Sequence, residues 1–298
     1  VALSVTTAAR SIRLTRVENV QEDLGISTDT AMLNRMIDEA SAAIVSYCHR
    51  GFAREAYTET LPGFGNIHLM LARTPIVGTP SAVSLDSSVL TDWSVADAAA
   101  GMLYRRAGWS WTTQAFPGLS AGGSFLDFGS PIPGSEEPLY SVDYVAGYLL
   151  PDQNLLAKTT ISAASADNSF NDSAGLLPSL LKSGDIVTTS GFATAANNGR
   201  FVASGTPTIN KVIVTGGTLV TEAAGATVTV IVQSLPFDVE KAAIECVKTW
   251  YMARNQDTRI VEKQVGPMRI RYSESDASLA LLPAACIGLL RPWVRLSH

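Results

Sequence analysis

The chain is poor in the residues that most often carry chemistry. Its 298 residues include three cysteines and three histidines. Cys48, Cys246 and Cys286 are odd in number and form no close pair, which argues against a disulfide framework and a structural zinc site. Cys48 and His49 are neighbours, but adjacent helical residues point about 100° apart and make a poor catalytic dyad. His68 and His298 have no ligand-like neighbours. Charge is also scarce. With 22 basic and 27 acidic residues the net charge is −5, which excludes a broadly basic nucleic-acid-coating surface. A hydrophobic share of 46% against 16% charged excludes a disordered chain. The longest apolar stretch, Leu279–Leu290, is broken by Pro283 and falls short of the about 20 residues that cross a bilayer. The opening Val1-Ala2-Leu3-Ser4 lacks the basic, apolar and small-residue order of a secretory leader. The expectation is a soluble protein of a reducing compartment, without a membrane span, built from about two domains.

Motifs of known chemistry are missing as well. No Walker lysine loop, no nucleophile elbow and no dinucleotide fingerprint occurs, so no cofactor and no metal are expected. Asp86, Asp92, Asp97 and Asp127 would be needed in convergent pairs for hydrolysis, yet Asp is the ordinary turn residue between short strands. Asp167, Asn168, Asn171 and Asp172 do not match a calcium-binding loop. Arg105-Arg106 and Arg269 with Arg271 are too few to bind nucleic acid by themselves. The reading that follows is of a protein that is not an enzyme.

What the sequence does contain is pattern. Thr15 to Glu18 fits a capping box, and Val17, Val20 and Leu24 give a short helix over 15–24 that Gly25 stops. A longer helix over 28–50, ended by Gly51, carries Leu33, Met36, Ile37, Ala40, Ile44, Tyr47 and Cys48 at spacings of three and four. From 57 to 148 the period becomes two. Ile67, Leu69 and Leu71, then Val83 and Leu85, Trp93 and Val95, Met102 to Arg105, and Tyr140, Val142 and Tyr144 read as strands. Between them, the Gly- and Pro-rich stretch after Gly108, with Trp109, Trp111, Phe116, Phe125 and Phe128, reads as an irregular loop.

Composition shifts over 152–234, where only 9 of 83 residues are charged. Short β-branched runs at Ile186–Thr189, Val212–Val214 and Val228–Val232 alternate with turn residues, and Asn198-Gly199 signals a tight hairpin. An inserted all-β domain is expected there. Helix returns over 236–254, with Val239, Ala243, Cys246, Val247, Trp250 and Tyr251 on one stripe and Asp238 and Glu240 in the first turn. Gln264 to Ser273 alternates loosely, and Leu279 to Leu290 suits a short helix.

The two best amphipathic stripes need partners, and the simplest partner for each is the other. Core packing is therefore assigned to Leu33, Met36, Ile37, Ile44, Tyr47, Val247, Trp250 and Tyr251. The fold class is α+β. It comprises a helical core of 1–151 and 235–298, a β-rich middle section, and the insert 152–234 leaving and re-entering at one surface point. Leu279, Leu281, Leu282, Ile287, Leu289 and Leu290, with Arg291, Trp293 and Arg295, form a greasy end that either folds back onto the core or docks on another chain.

Several segments together resemble the head–tail adaptor (head-completion or connector) proteins of tailed bacteriophages. They are Leu33-Asn34-Arg35-Met36-Ile37-Asp38-Glu39-Ala40-Ser41-Ala42-Ala43-Ile44 and Tyr47-Cys48-His49-Arg50-Gly51-Phe52, then Val83-Ser84-Leu85-Asp86 and Tyr144-Val145-Ala146-Gly147-Tyr148. Leu235 to Glu245 and Trp250-Tyr251-Met252-Ala253-Arg254 complete the order. Small β modules of other phage structural proteins are similar to the insert at Gly184-Asp185-Ile186, Gly191-Phe192, Asn197 to Phe201 and Glu222 to Gly225. The resemblance implies a virion protein of the neck, assembled in the host cytoplasm. It implies a homo-oligomeric ring, typically of twelve copies, between the portal protein and the tail or its stopper or terminator. The C-terminal segment would dock on the portal, and truncation after Ser278 would abolish that docking. Double-stranded DNA would pass through the lumen without sequence-specific binding, which an acidic subunit suits. Two other functions compete: a receptor- or carbohydrate-binding virion component using the insert, whose aromatics are Phe170, Phe192 and Phe201, and a hydrolase using Asp86, Asp92 or Asp127.

Overall fold

The computed structural model describes residues 2–110, 139–178, 180–254, 262–265, 268–271 and 282–295. In chain order it begins with β1 (Ala2–Thr7), α1 (Val17–Leu24), α2 (Thr30–Cys48) and β2 (Glu55–Leu61). Next come β3 (His68–Met70), β4 (Ala82–Leu85), β5 (Ser88–Val89), β6 (Trp93–Asp97), β7 (Met102–Arg105) and β8 (Tyr140–Ala146). Then follow β9 (Leu155–Lys158), β10 (Ile161–Ala164), β11 (Ser169–Asp172), β12 (Ile186–Ser190), β13 (Gly199–Ser204), β14 (Lys211–Thr215) and β15 (Val228–Ile231). The chain ends with α3 (Phe237–Ala253), β16 (Glu262–Val265), β17 (Met268–Arg271) and α4 (Ala284–Leu290). The fold is mixed α and β, with more strand than helix. Among the described residues, no helix is long and apolar enough to cross a membrane.

The chain divides into two compact units, residues 1–9 with 54–147 and residues 10–53 with 148–298. The first unit is β-structured. Its five-stranded sheet has the order β1-β2-β8-β4-β5, and a three-stranded sheet has the order β3-β7-β6. Alternation on β8 buries Tyr140, Val142, Tyr144 and Ala146, which join Val83, Leu69, Leu103 and Trp109 in one core. Glu59, on β2, is buried among them. Its carboxylate accepts hydrogen bonds from the Ala72 amide, at 2.9 Å from Oε2, and from the Tyr144 hydroxyl at 2.6 Å. A buried carboxylate is tolerable only with such donors. Burial and the adjoining Glu59 push the Tyr144 hydroxyl far above the ordinary tyrosine range. Sequence pattern missed β1 because its residues are mostly exposed and β1 is held by pairing with β2 at the sheet edge.

The second unit combines the helices with a seven-stranded sheet of order β10-β11-β14-β13-β12-β15-β9. Every neighbouring pair in it is antiparallel. Its inward positions, Phe170, Val187, Phe201, Val212, Val214, Val228 and Val230 among them, form a single apolar cluster. Leu149 and Ser234, on either side of this sheet in sequence, are joined twice. The Leu149 amide donates to Ser234 Oγ at 2.8 Å, and the Ser234 amide donates to the Leu149 carbonyl at 3.0 Å. Entry to the sheet and exit from it are therefore side by side. β16 and β17 form an antiparallel hairpin.

Several local expectations are corrected. No capping box forms at Thr15: the helix begins after Arg16, and Thr15 is buried with its hydroxyl unpartnered. Glu18 instead pairs with Arg16 Nε at 3.1 Å. Gly25 does close α1, with φ 67°. α2 is closed by His49 at φ 50°, two residues before Gly51. Asn198-Gly199 does not make a two-residue turn, because β12 and β13 are joined by the whole loop 191–198.

Candidate assembly surface

Three helices meet in the second unit. α2 contacts α3, α1 contacts both, and α4 lies against α3. The stripe on α2 buries Leu33, Ile37, Ala40, Ile44 and Cys48, and that on α3 buries Val239, Ala243, Cys246 and Val247. Full burial of each large aliphatic stabilises by about 1.5–3 kcal/mol. Polar side chains fix the ends. Asp29 Oδ2, at the start of α2, accepts from the Tyr251 hydroxyl at 2.6 Å and from Arg254 Nη1 at 3.3 Å. Glu240 is buried in the first turn of α3, where it accepts from Asn19 Nδ2 at 2.8 Å and from Gln233 Nε2. Neither link has a sequence signature, because partners so far apart in the chain form no local pattern.

Of the residues assigned to core packing, Leu33, Ile37, Ile44 and Val247 are fully buried, whereas Met36, Tyr47, Trp250 and Tyr251 are only partly covered. The partial exposure of two of them has a common cause. Met36 and Trp250 border a surface groove of 710 Å³ between α2 and α3, completed by Glu39, Ala42, Ala43 and Ser46. Small residues at 42, 43 and 46 leave the helices unable to fill the space beside Trp250. At the other end of α3, Phe237 is 81% exposed, the largest exposure among the exposed large hydrophobic residues described.

The C-terminal residues divide between the chain's own interior and its surface. Leu282 and Leu290 are buried in this chain's own interior, as is Cys286, whose thiol donates to the Ala242 carbonyl on α3 at 3.3 Å. Trp293 lies edge-on to Tyr148 at 6.4 Å, and the Arg50 guanidinium is 6.0 Å from its ring centre. The Arg295 amide donates to the Cys48 carbonyl at 2.9 Å. An amphipathic helix placed beside α3 satisfies its own stripe there, which covers Leu282, Cys286 and Leu290. Ile287 and Leu289 stay partly exposed, and Arg291 and Arg295 are exposed. Leu279 and Leu281 lie outside the described residues. Truncation after Ser278 would consequently disturb α3 as well as any docking.

Candidates for chemistry have structural occupations. Asp92 pairs with Arg105 at 2.9 Å, Asp97 accepts from the Ala99 and Ala100 amides, and Asp86 occupies a turn at φ 48°. Asp127 lies outside the described residues. Burial pushes the Cys48 thiol up to about 11, which disfavours the thiolate that a nucleophile needs. Among the described residues, no group of three or more His, Cys, Asp or Glu side chains could hold a metal ion. Phe170, Phe192 and Phe201 are buried and pack on one another at 5.5 and 5.3 Å. They offer no surface platform to a sugar.

Comparison with known protein families and with curated proteins gives no match. Among solved structures, a chain from the neck of an empty gene transfer agent particle, computed with C6 symmetry, is similar. Its TM-score is 0.45 and its identity 12%, over 100% of this chain and 97% of that one. A chain from the virion of a native gene transfer agent particle gives a TM-score of 0.44 and 11% identity over the same shares.

Proposed function

We propose that the protein is a structural, non-catalytic head–tail adaptor of a tailed-phage-type virion. In this reading copies form a ring, twelve in number, that joins the portal to the tail or its stopper and lets double-stranded DNA through. The observation that carries the reading is the direct packing of α2 on α3. These helices hold the segments Leu33–Ile44 and Leu235–Glu245 with Trp250–Arg254, which lie far apart in the sequence and on which the resemblance rests. The strand segments of the resemblance, at Val83 and Tyr144, are neighbours as β4 and β8 in one sheet. The acidic balance of the chain suits a channel that must not hold phosphate. Among the described C-terminal residues, Ile287, Leu289, Arg291 and Arg295 keep surface that a portal would cover. The seven-stranded sheet, with its adjacent entry and exit, is an inserted domain on the adaptor.

The test is to remove the gene and to locate the protein in intact particles. Loss of the protein is expected to leave DNA-filled heads and free tails that fail to join, and cryo-electron microscopy is expected to show a ring at the neck. Particles that assemble normally without the protein, or that carry it elsewhere, would refute the reading.

A further inference from the structure

The free edges of the sheets are not alike. An edge strand offers unpaired amides and carbonyls to any extended chain, and proteins blunt it with charge, proline, shortness, a bulge or a cover. Among the described strands most edges are blunted. β5 is two residues long and β3 three. β10 is covered, since the Ala163 and Glu222 amides each donate to the other's carbonyl, at 3.0 and 2.9 Å. β9 carries Lys158, and its register against β15 shifts across Ala157, which has φ 50°. β6 ends at Asp97 and shifts register against β7. β16 and β17 hold Glu262, Lys263, Arg269 and Arg271. β1, by contrast, is six residues long and mostly exposed, and no charge or proline occurs from residue 1 to residue 9. Its one irregularity lies between Val5 and Thr7.

The ladder decides which groups of β1 are unused. The Ser81 amide donates to the Asp143 carbonyl and the Val77 amide to the Val145 carbonyl, both at 2.8 Å. Asp143 and Val145 therefore turn their backbone groups toward the β4 side, and Tyr144, between them, turns toward β2, because direction alternates along a strand. Tyr57 and Glu59, opposite Tyr144 and Val142, face β8, which leaves Thr58 and Thr60 facing β1. Ser4 and Ala2 lie opposite those two threonines, while Val5 and Leu3 lie opposite Tyr57 and Glu59. The amides and carbonyls of Leu3 and Val5 thus point away from the sheet. Their side chains share the face of the buried Tyr57 and Glu59. Leu3 packs on the core, and Val5, 50% exposed, is its uncovered margin.

An antiparallel strand laid along this edge exchanges two bonds with Leu3 and two with Val5. Every pairing within this sheet is antiparallel. Residues opposite Leu3 and Val5 add their side chains to the core face, so the edge selects a segment that is apolar on alternate residues. β1 of a second copy fits poorly. Two-fold pairing centred on Ser4 sets the irregularity of each copy against Ala2 of the other and disturbs the ladder at both ends. We infer that β1 receives an extended segment of a different protein as a sixth, antiparallel strand, with apolar residues opposite Leu3 and Val5. Only the placing of that protein beside this one in the particle rests on the adaptor reading.

The experiment uses the full chain and a short synthetic peptide of alternating valine and threonine with a lysine at each end. In the free chain the Leu3 and Val5 amides are expected to exchange with solvent quickly and the Ser4 amide slowly. The peptide is expected to slow Leu3 and Val5, and the same peptide N-methylated on its valines is expected to do nothing. Val5→Pro removes an outward donor and spares the bonds to β2, so it is expected to weaken peptide binding about tenfold with little change in the thermal melt. Val5→Lys keeps the amide but charges the apolar margin, and it too is expected to weaken binding. In purified particles the same two amides are expected to be slow without any peptide. Leu3 and Val5 amides already slow in the free chain, binding indifferent to Val5→Pro or to N-methylation, or fast exchange at both amides in the particle overturns the inference. Sedimentation showing a wild-type dimer that Val5→Pro abolishes makes the occupant a second copy and overturns it too. Any of these with the protein still found at the neck leaves the adaptor reading standing. Peptide binding as expected, with the protein absent from the neck, refutes that reading alone.

Discussion

The helices and the large sheet of the second unit are held by different kinds of bond. The helices depend on two facing apolar stripes, to which polar ties such as Asp29 to Tyr251, Glu240 to Asn19 and Lys248 to Asp23 are added. The sheet has its own apolar cluster, but its long loops are fastened by short polar side chains that reach the backbone. Asn197 is fully buried, and its amide donates to the Val220 carbonyl and to Glu222 while its oxygen accepts from the Val220 amide. Asn168 likewise bonds the Val214 and Gly217 carbonyls and the Leu219 amide. Asp172 accepts from Thr160, Ala174 and Leu176. A segment with few charges and many small residues has little apolar area per loop, so hydrogen-bonded staples take over the task.

That contrast can be broken in order of size. Ile37→Ala removes a fully buried side chain from the α2 stripe and is expected to cost about 3–4 kcal/mol, read as a fall in the denaturant midpoint for the helices. Asn197→Ala is expected to cost about 2 kcal/mol, because it strands the Val220 amide and carbonyl. Its mark would be faster hydrogen exchange at 191–198 and 219–222, with α2 and α3 unchanged. An effect spread evenly over both parts would erase the distinction drawn here. The smallest effect is a pH dependence. Burial raises the Glu222 carboxyl, but bonds from the Thr194 and Ala193 amides and from the Asn197 side chain outweigh it, so the group lies below the ordinary glutamate value. A depressed carboxyl contributes stability above the unfolded value, about 4.3, and that contribution disappears as pH falls through the folded one. The loop 191–198 is expected to loosen below about pH 4.3, and Glu222→Gln is expected to remove the pH dependence. Amide exchange measured with each protein across that range checks it.

The same contrast explains what could be read from the sequence. Helices α2 and α3 were visible because Leu33, Ile37, Ile44, Val239, Ala243 and Val247 recur at the helical period, and a stripe needs only its own neighbours to be recognised. Strands with one buried face, such as β7 and β8, were visible for the same reason. The staples were not. Asn198-Gly199 carried a local hairpin signal, yet Asn197 and Asn198 use their side chains to tie down Val220 and Phe192, and the loop is long instead of tight. Glu59 looked like any alternating strand residue, since nothing nearby in sequence reveals that Ala72 and Tyr144 will surround it. The candidate assembly surface is half legible. The apolar end at Leu282 and Leu290 is plain in the sequence but has its own chain as partner, while the groove arises from small residues at 42, 43 and 46 that a hydrophobic pattern overlooks.

The paired bonds between Leu149 and Ser234 have a practical meaning. A polypeptide spliced in at that doorway starts and finishes within one hydrogen bond of the same spot, whatever its length. A replacement for the sheet whose own termini lie close together is therefore expected to leave the helices folded, as read by circular dichroism.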